Sequence, residues 1–107
     1  MRIDVVLGPE GNLKSFRSRG HAGESKGGGN VACAAVTILL RTAARLLAGT
    51  PGMAADGDAG HPGEMDVRIT PRAAGGEWLK GVTDFLLRGL SDLAREYPGE
   101  IDVRVRT

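Results

Sequence analysis

Two side chains in this chain of 107 residues carry the chemistries that a covalent hydrolase combines, a thiol at Cys33 and an imidazole at His21. Thiolate sulfur is a strong nucleophile, and an imidazole in reach takes up the thiol proton and later returns it to a leaving group. Cys33 is the only cysteine, so no internal disulfide competes for its sulfur. Its setting is favourable. Asn30 precedes an apolar run, and Asn is among the preferred N-cap residues of a helix. With Asn30 as cap, Val31 is the first helical residue and Cys33 the third. First-turn amides lack an intrahelical acceptor, and the helix dipole adds positive potential there. Such an end favours an anion, whether a thiolate or the oxyanion of a tetrahedral intermediate.

The elements that must position this pair are read from periodicity. Arg2 to Leu7 alternates with Ile3, Val5 and Leu7 on one side, and stops at a turn over Gly8, Pro9, Glu10 and Gly11. A second strand runs from about Leu13 to Gly20. Leu13 and Phe16 differ in parity there, which calls for a bulge or an edge position. Glu64 to Thr70 places Met65, Val67 and Ile69 on one face, and Glu100 to Arg106 does the same with Ile101, Val103 and Val105. Charge at every second position implies cover on one face only. Two helices complete the set. From Val31 to about Ala48 the apolar stripe holds Val36, Leu39, Leu40, Ala43, Leu46 and Leu47. From Glu77 to Glu96 it holds Trp78, Val82, Phe85, Leu86, Leu90, Leu93 and, just beyond, Tyr97. The expected fold is a single α+β domain over residues 1–107. It is a two-layer sandwich of order β-β-α-β-α-β, with both helices on one face of a small mixed sheet.

The stretches Gly23 to Gly29 and Gly49 to Gly63 are too rich in glycine to read as regular elements and are expected to be loops. The first lies between His21 and Cys33, so it can fold the imidazole back towards the helix start and admit a substrate chain. Around the first helix, Cys33, Thr37 and Ala44 fall at the margin of the buried stripe, which places the thiol on the border of the core.

Composition gives no support to several classes of function, though a local basic patch is compatible with it. The net charge is +1, with 14 basic and 13 acidic residues, so no cationic excess points to a nucleic-acid partner. No stretch reads as a membrane span of ~20 apolar residues. Asp4 and Glu10 interrupt any signal-peptide core, and a cytoplasmic location is the default expectation. One Cys and two distant His, His21 and His61, lack the paired spacings of a zinc site, so neither a metal nor a cofactor is expected. Simpler readings stand beside the catalytic one. A free Cys in a small domain is often core, and a lone His at a strand end is often a surface or capping residue. The glycine segment before the helix matches neither the phosphate-loop nor the dinucleotide pattern. Arg17, Arg19, Arg104 and Arg106 could gather on one sheet face, as a solvated or a dimer-forming surface.

The segments GHAG at Gly20 to Gly23 and NVACAAVT at Asn30 to Thr37, separated by a glycine-rich loop, resemble the ribosomal-processing cysteine proteases, often called Prp. The likeness extends to the split opening strands, the ending REYPGEIDVRV and the overall length. It implies a homodimeric two-layer enzyme that removes a short N-terminal extension from ribosomal large-subunit protein twenty-seven. Carried over by position, the catalytic His falls on His21 and the nucleophile on Cys33. The small hydroxyl residue one turn later falls on Thr37. Gly23, Gly27, Gly28 and Gly29 fall in the loop that receives substrate. The family commonly carries Asp three residues before the Cys, where this chain has Asn30. As a helix cap Asn serves equally well; as a partner of the imidazole it lacks the carboxylate's charge. A catalytically weak or inactive, ribosome-associated homodimeric binding module is the alternative reading. Neither reading calls for direct contact with nucleic acid or membrane.

Overall fold

The computed structural model describes residues 1–20, 28–51, 53–58, 64–71 and 76–107. Seven elements follow in order: β1 (Arg2–Leu7), β2 (Leu13–Arg19), α1 (Gly28–Ala48), β3 (Met53–Asp58), β4 (Met65–Pro71), α2 (Gly76–Glu96) and β5 (Asp102–Arg106). The strands form one sheet of order β3-β4-β2-β1-β5. All neighbours are antiparallel except β1 and β5, which are parallel. The mixed α+β sandwich expected from the sequence is therefore present, with one strand added. β3 occupies part of the segment read as a loop, because its Met-Ala-Ala-Asp-Gly-Asp lacks the branched and aromatic residues that signal a strand. Its ladder with β4, from Met53 opposite Pro71 to Asp58 opposite Asp66, supplies what side-chain propensity does not.

Alternation in the strands sorts the sheet into a dry face and a wet face. Ile3 and Val5 of β1, Leu13, Phe16 and Ser18 of β2, and Met65, Val67 and Ile69 of β4 are all buried. Val5 stands opposite Phe16, and Phe16 opposite Val67, so one apolar row crosses three strands. The parity conflict in β2 resolves as a bulge. Val6 pairs with Ser15 but Leu7 pairs with Leu13, so the extra residue, Lys14, lets Leu13 and Phe16 both face inward. The edge alternative is overturned, since β2 is the central strand. The turn before it closes through the Gly8 N–H donating to the Asn12 carbonyl at 2.8 Å. Gly11 there has φ 84°, a left-handed conformation that favours glycine.

Both helices cover the dry face. α1 buries Ala32, Val36, Leu40, Ala43 and Leu47, and α2 buries Leu79, Thr83, Leu86 and Leu90. Each fully buried Leu or Phe contributes ~1.5–3 kcal/mol relative to an exposed one. Over Val31–Ala48, α1 is long and apolar enough by composition to cross a membrane, contrary to the sequence expectation. Only 28% of that window is buried, and Val31, Ile38 and Leu46 stand exposed on its outer side. Two predicted core aromatics lie elsewhere: Phe85 is 75% exposed and Trp78 is 40% exposed. α2 is rotated so that the stripe through Leu79, Thr83 and Leu86 faces the sheet, leaving these rings on its outer flank. The rotation follows the helix–helix contact, where Leu39 packs onto Gly89 and a Cβ on Gly89 would lie 2.9 Å from the Leu39 side chain. Leu46, also expected inside, is 48% exposed.

Candidate active site

β2 ends at Arg19, and Gly20 follows with φ 80°, a left-handed turn that takes the chain off the sheet just before His21. His21, Gly23 and Gly27 lie outside the described residues, as does His61. α1 then opens at Gly28, two residues earlier than the Asn30 cap predicted from sequence. This is a correction: Gly28 and Gly29 belong to the helix rather than to the loop, and Asn30 is a helical residue. The reading that placed the cap at Asn30 relied on side-chain preference, whereas glycine, tolerated in a first turn, lets the backbone ladder begin sooner. Cys33 becomes the sixth residue of α1 instead of the third. Its own amide is thus engaged within the helix, and the unengaged first-turn amides belong to Gly28, Gly29 and Asn30, one turn before it.

Cys33 is a free thiol of intermediate burial, packed against the edge of the hydrophobic core. Thr37, four residues on, shares its flank and is likewise half-buried. Leu39, which meets α2, lies ~120° around α1 from Cys33 at ~100° per residue. Cys33 and Thr37 therefore occupy the flank turned away from α2, on a helix that also packs against β3. The border position expected from the helical wheel is what the structure shows. Among the described residues no three His, Cys, Asp or Glu side chains gather as a metal site would require.

One polar element escaped the sequence reading. Thr83 sits fully buried in α2, accepts the Leu13 N–H at 2.9 Å and donates to the Leu79 carbonyl at 2.7 Å. It ties the first residue of β2 to the helix layer, on the strand that delivers the chain to His21. A threonine inside an otherwise apolar stripe was the available signal.

A lone thiol at the rim of the core, early in a helix laid over a small mixed sheet, defines an α+β sandwich protein equipped for thiol chemistry. The chain belongs to the cysteine protease Prp family, whose family model matches residues 1–102, and it is a cysteine protease. No curated protein sequence matches it significantly. Among solved structures, it is similar to the essential ribosomal processing protease Prp from S. aureus with a covalently linked product peptide. That match has a TM-score of 0.80 at 18% identity and covers 97% of each chain. The same protease with a substrate peptide matches with a TM-score of 0.79 at 17% identity, again over 97% of each chain. A Streptococcus mutans protein matches with a TM-score of 0.80 at 20% identity, over 99% of this chain and 93% of the other.

Proposed function

We propose that this protein is an endopeptidase that removes a short N-terminal extension from ribosomal large-subunit protein twenty-seven, with Cys33 as nucleophile and His21 as general base and acid. Membership of the cysteine protease family carries this reading, because Cys33 is the only residue that can supply the thiol. In the attack the sulfur–carbon bond forms and the carbonyl electron pair moves to oxygen. Amides of Gly28, Gly29 and Asn30 are the donors available to that oxyanion. Collapse breaks the carbon–nitrogen bond while His21 protonates the departing amine. Water, deprotonated by His21, then releases the acyl group and regenerates the thiol. The product peptide held covalently by the S. aureus protein is the kind of species this route leads one to expect. β2 ends two residues before His21 and α1 opens seven residues after it, so the chain between His21 and the helix start spans at most ~25 Å.

On this reading Thr37, on the flank of the thiol, contacts the substrate, and Gly23, Gly27, Gly28 and Gly29 belong to the segment that receives it. The enzyme acts as a cytoplasmic homodimer on this reading. The alternative, an inactive ribosome-associated binding module, is motivated by Asn30 in place of the family's usual Asp.

Incubation with the N-terminally extended ribosomal protein distinguishes the two. Mass spectrometry should show a single trimmed product from the wild type and none from Cys33→Ala. Because the sulfur is only half-buried, that variant should lose about 1 kcal/mol of stability or less. Cleavage that survived Cys33→Ala would remove the proposed nucleophile; no cleavage by the wild type would favour the binding module.

A further inference from the structure

Among the described residues, the sheet face that the helices leave open is lined by six arginines, Arg2, Arg17, Arg19, Arg68, Arg104 and Arg106, and by no lysine. We propose that this face, over β2, β1 and β5, binds the phosphate backbone of RNA. The claim stands on the geometry of the face and needs no catalytic role for Cys33.

Register shows how the charges are laid out. Arg17 of β2 and Arg104 of β5 flank Asp4 of β1 in one row, and Arg19 stands opposite Arg2 in another. Asp4 lies low: its side chain is 22% exposed, whereas Arg2 and Arg19, which pair with it at 3.1 and 3.8 Å, are 42% and 49% exposed. The short Asp4 carboxylate thus holds the longer guanidinium arms of Arg2 and Arg19 above it, and those arms are what an approaching partner meets. Arg104 pairs with Asp102. Arg17 and Arg106 have no ion pair among the described residues. Asp4 and Asp102 lie within this footprint, Asp102 opposite Arg2; the remaining acidic residues lie towards the other edge, where Asp66 of β4 stands opposite Arg17 and Asp56 and Asp58 stand in register with Arg68 and Asp66. The basic footprint is therefore asymmetric and centred on the β1–β5 side.

Guanidinium groups present forked donors that suit phosphate oxygens. Arg17 and Arg106 lie two strands and one row apart, ~12 Å between backbones, a distance spanned by several phosphates of either strand. The four aromatic residues, Phe16, Trp78, Phe85 and Tyr97, are all in the core or the helix layer. Among the described residues no ring lies on this face to stack a base, so binding is to backbone and indifferent to sequence. A second copy docked on the same patch would oppose arginine to arginine at its centre, which disfavours that occupant.

Fluorescence anisotropy with a labelled RNA duplex, titrated from 50 to 300 mM salt (about the range where phosphate contacts are read), tests the proposal. The wild type should bind, with affinity falling steeply with salt and equally for duplexes of different sequence. Arg17→Gln combined with Arg106→Gln should weaken binding at least about tenfold at the lowest salt and flatten the slope by ~2. Asp66→Asn should tighten binding, an effect that misfolding cannot mimic. Peptide cleavage should be unchanged in both variants, so a failure of the protease reading is seen separately. Four results would overturn the proposal: no wild-type binding, affinity insensitive to the arginine pair, displacement by polyglutamate as effective as by unlabelled RNA, or a change in the free protein's sedimentation mass in the arginine variant.

Discussion

At the scale of single residues, the fold depends on a hydroxyl that no apolar pattern would select. Thr83 accepts the Leu13 N–H and donates to the Leu79 carbonyl, both inside the core. Thr83→Val keeps the shape and orphans a buried amide, which costs ~1–3 kcal/mol. In a domain of this size each kcal/mol lowers Tm by roughly 4–8 °C, so calorimetry should show a fall of at least several degrees. Thr83→Ser retains both bonds and should lose less, which separates the hydrogen bond from packing. An unchanged Tm in Thr83→Val would mean that Leu13 finds another acceptor. Cys33 shows the complementary logic, since a half-buried sulfur on the margin of the core contributes little to packing and its value lies in its chemistry.

At the scale of elements, most of the architecture was legible in period and punctuation. β1, β4 and β5 were readable because charge alternates with branched aliphatics, and the ends of both helices were readable from Gly49, Pro51 and Pro98. What escaped had a physical reason. β3 is built from Ala, Asp and Gly and exists through its pairing with β4. The rotation of α2 is set by a close approach at Gly89, which a pattern of apolar residues cannot register; periodicity therefore points Trp78 and Phe85 inward, and both lie outward. Cys33 lies at the core margin as the helical wheel predicts, but three positions deeper in α1 than an Asn30 cap predicts. Two glycines of α2 test this account against each other. At Gly81 a Cβ would meet nothing within 4 Å, so Gly81→Ala should gain the helix-propensity difference of ~0.8–1 kcal/mol. At Gly89 the same gain is opposed by displacement of Leu39, and Gly89→Ala should be close to neutral. Gly89→Val forces the helices apart and should cost ~1–3 kcal/mol. Urea denaturation of the three variants gives the order, and a stabilising Gly89→Val would mean that the helices are not in contact there.

At the scale of the whole molecule, net charge and local charge part company. A total of +1 conceals a sheet whose outer face, among the described residues, gathers six arginines, because alternation in β1, β2, β4 and β5 sends every second residue to the same side. The gathering of Arg17, Arg19, Arg104 and Arg106 could be anticipated from strand parity; the addition of Arg2 and Arg68 needed the strand order. That same one-sided construction makes stability uneven. Inner residues of β1 and β2 lie under both helices, with Ile3, Val5 and Phe16 fully buried. β5 sits at the sheet's edge, paired only with β1, and all of its residues except Val103 are exposed. Edge strands with few buried contacts open at a lower free energy than the global unfolding reaction. Native-state hydrogen exchange should therefore find the amides of Val5 and Phe16 exchanging only through complete unfolding, with a steep dependence on denaturant. Amides of β5 that bond to β1 should exchange earlier, through local opening that scarcely depends on denaturant. If β5 instead exchanged together with Val5 at the global rate, something would have to cover that edge and the exposed Val105 in solution, and a partner subunit lying against β5 would be the first structure to seek.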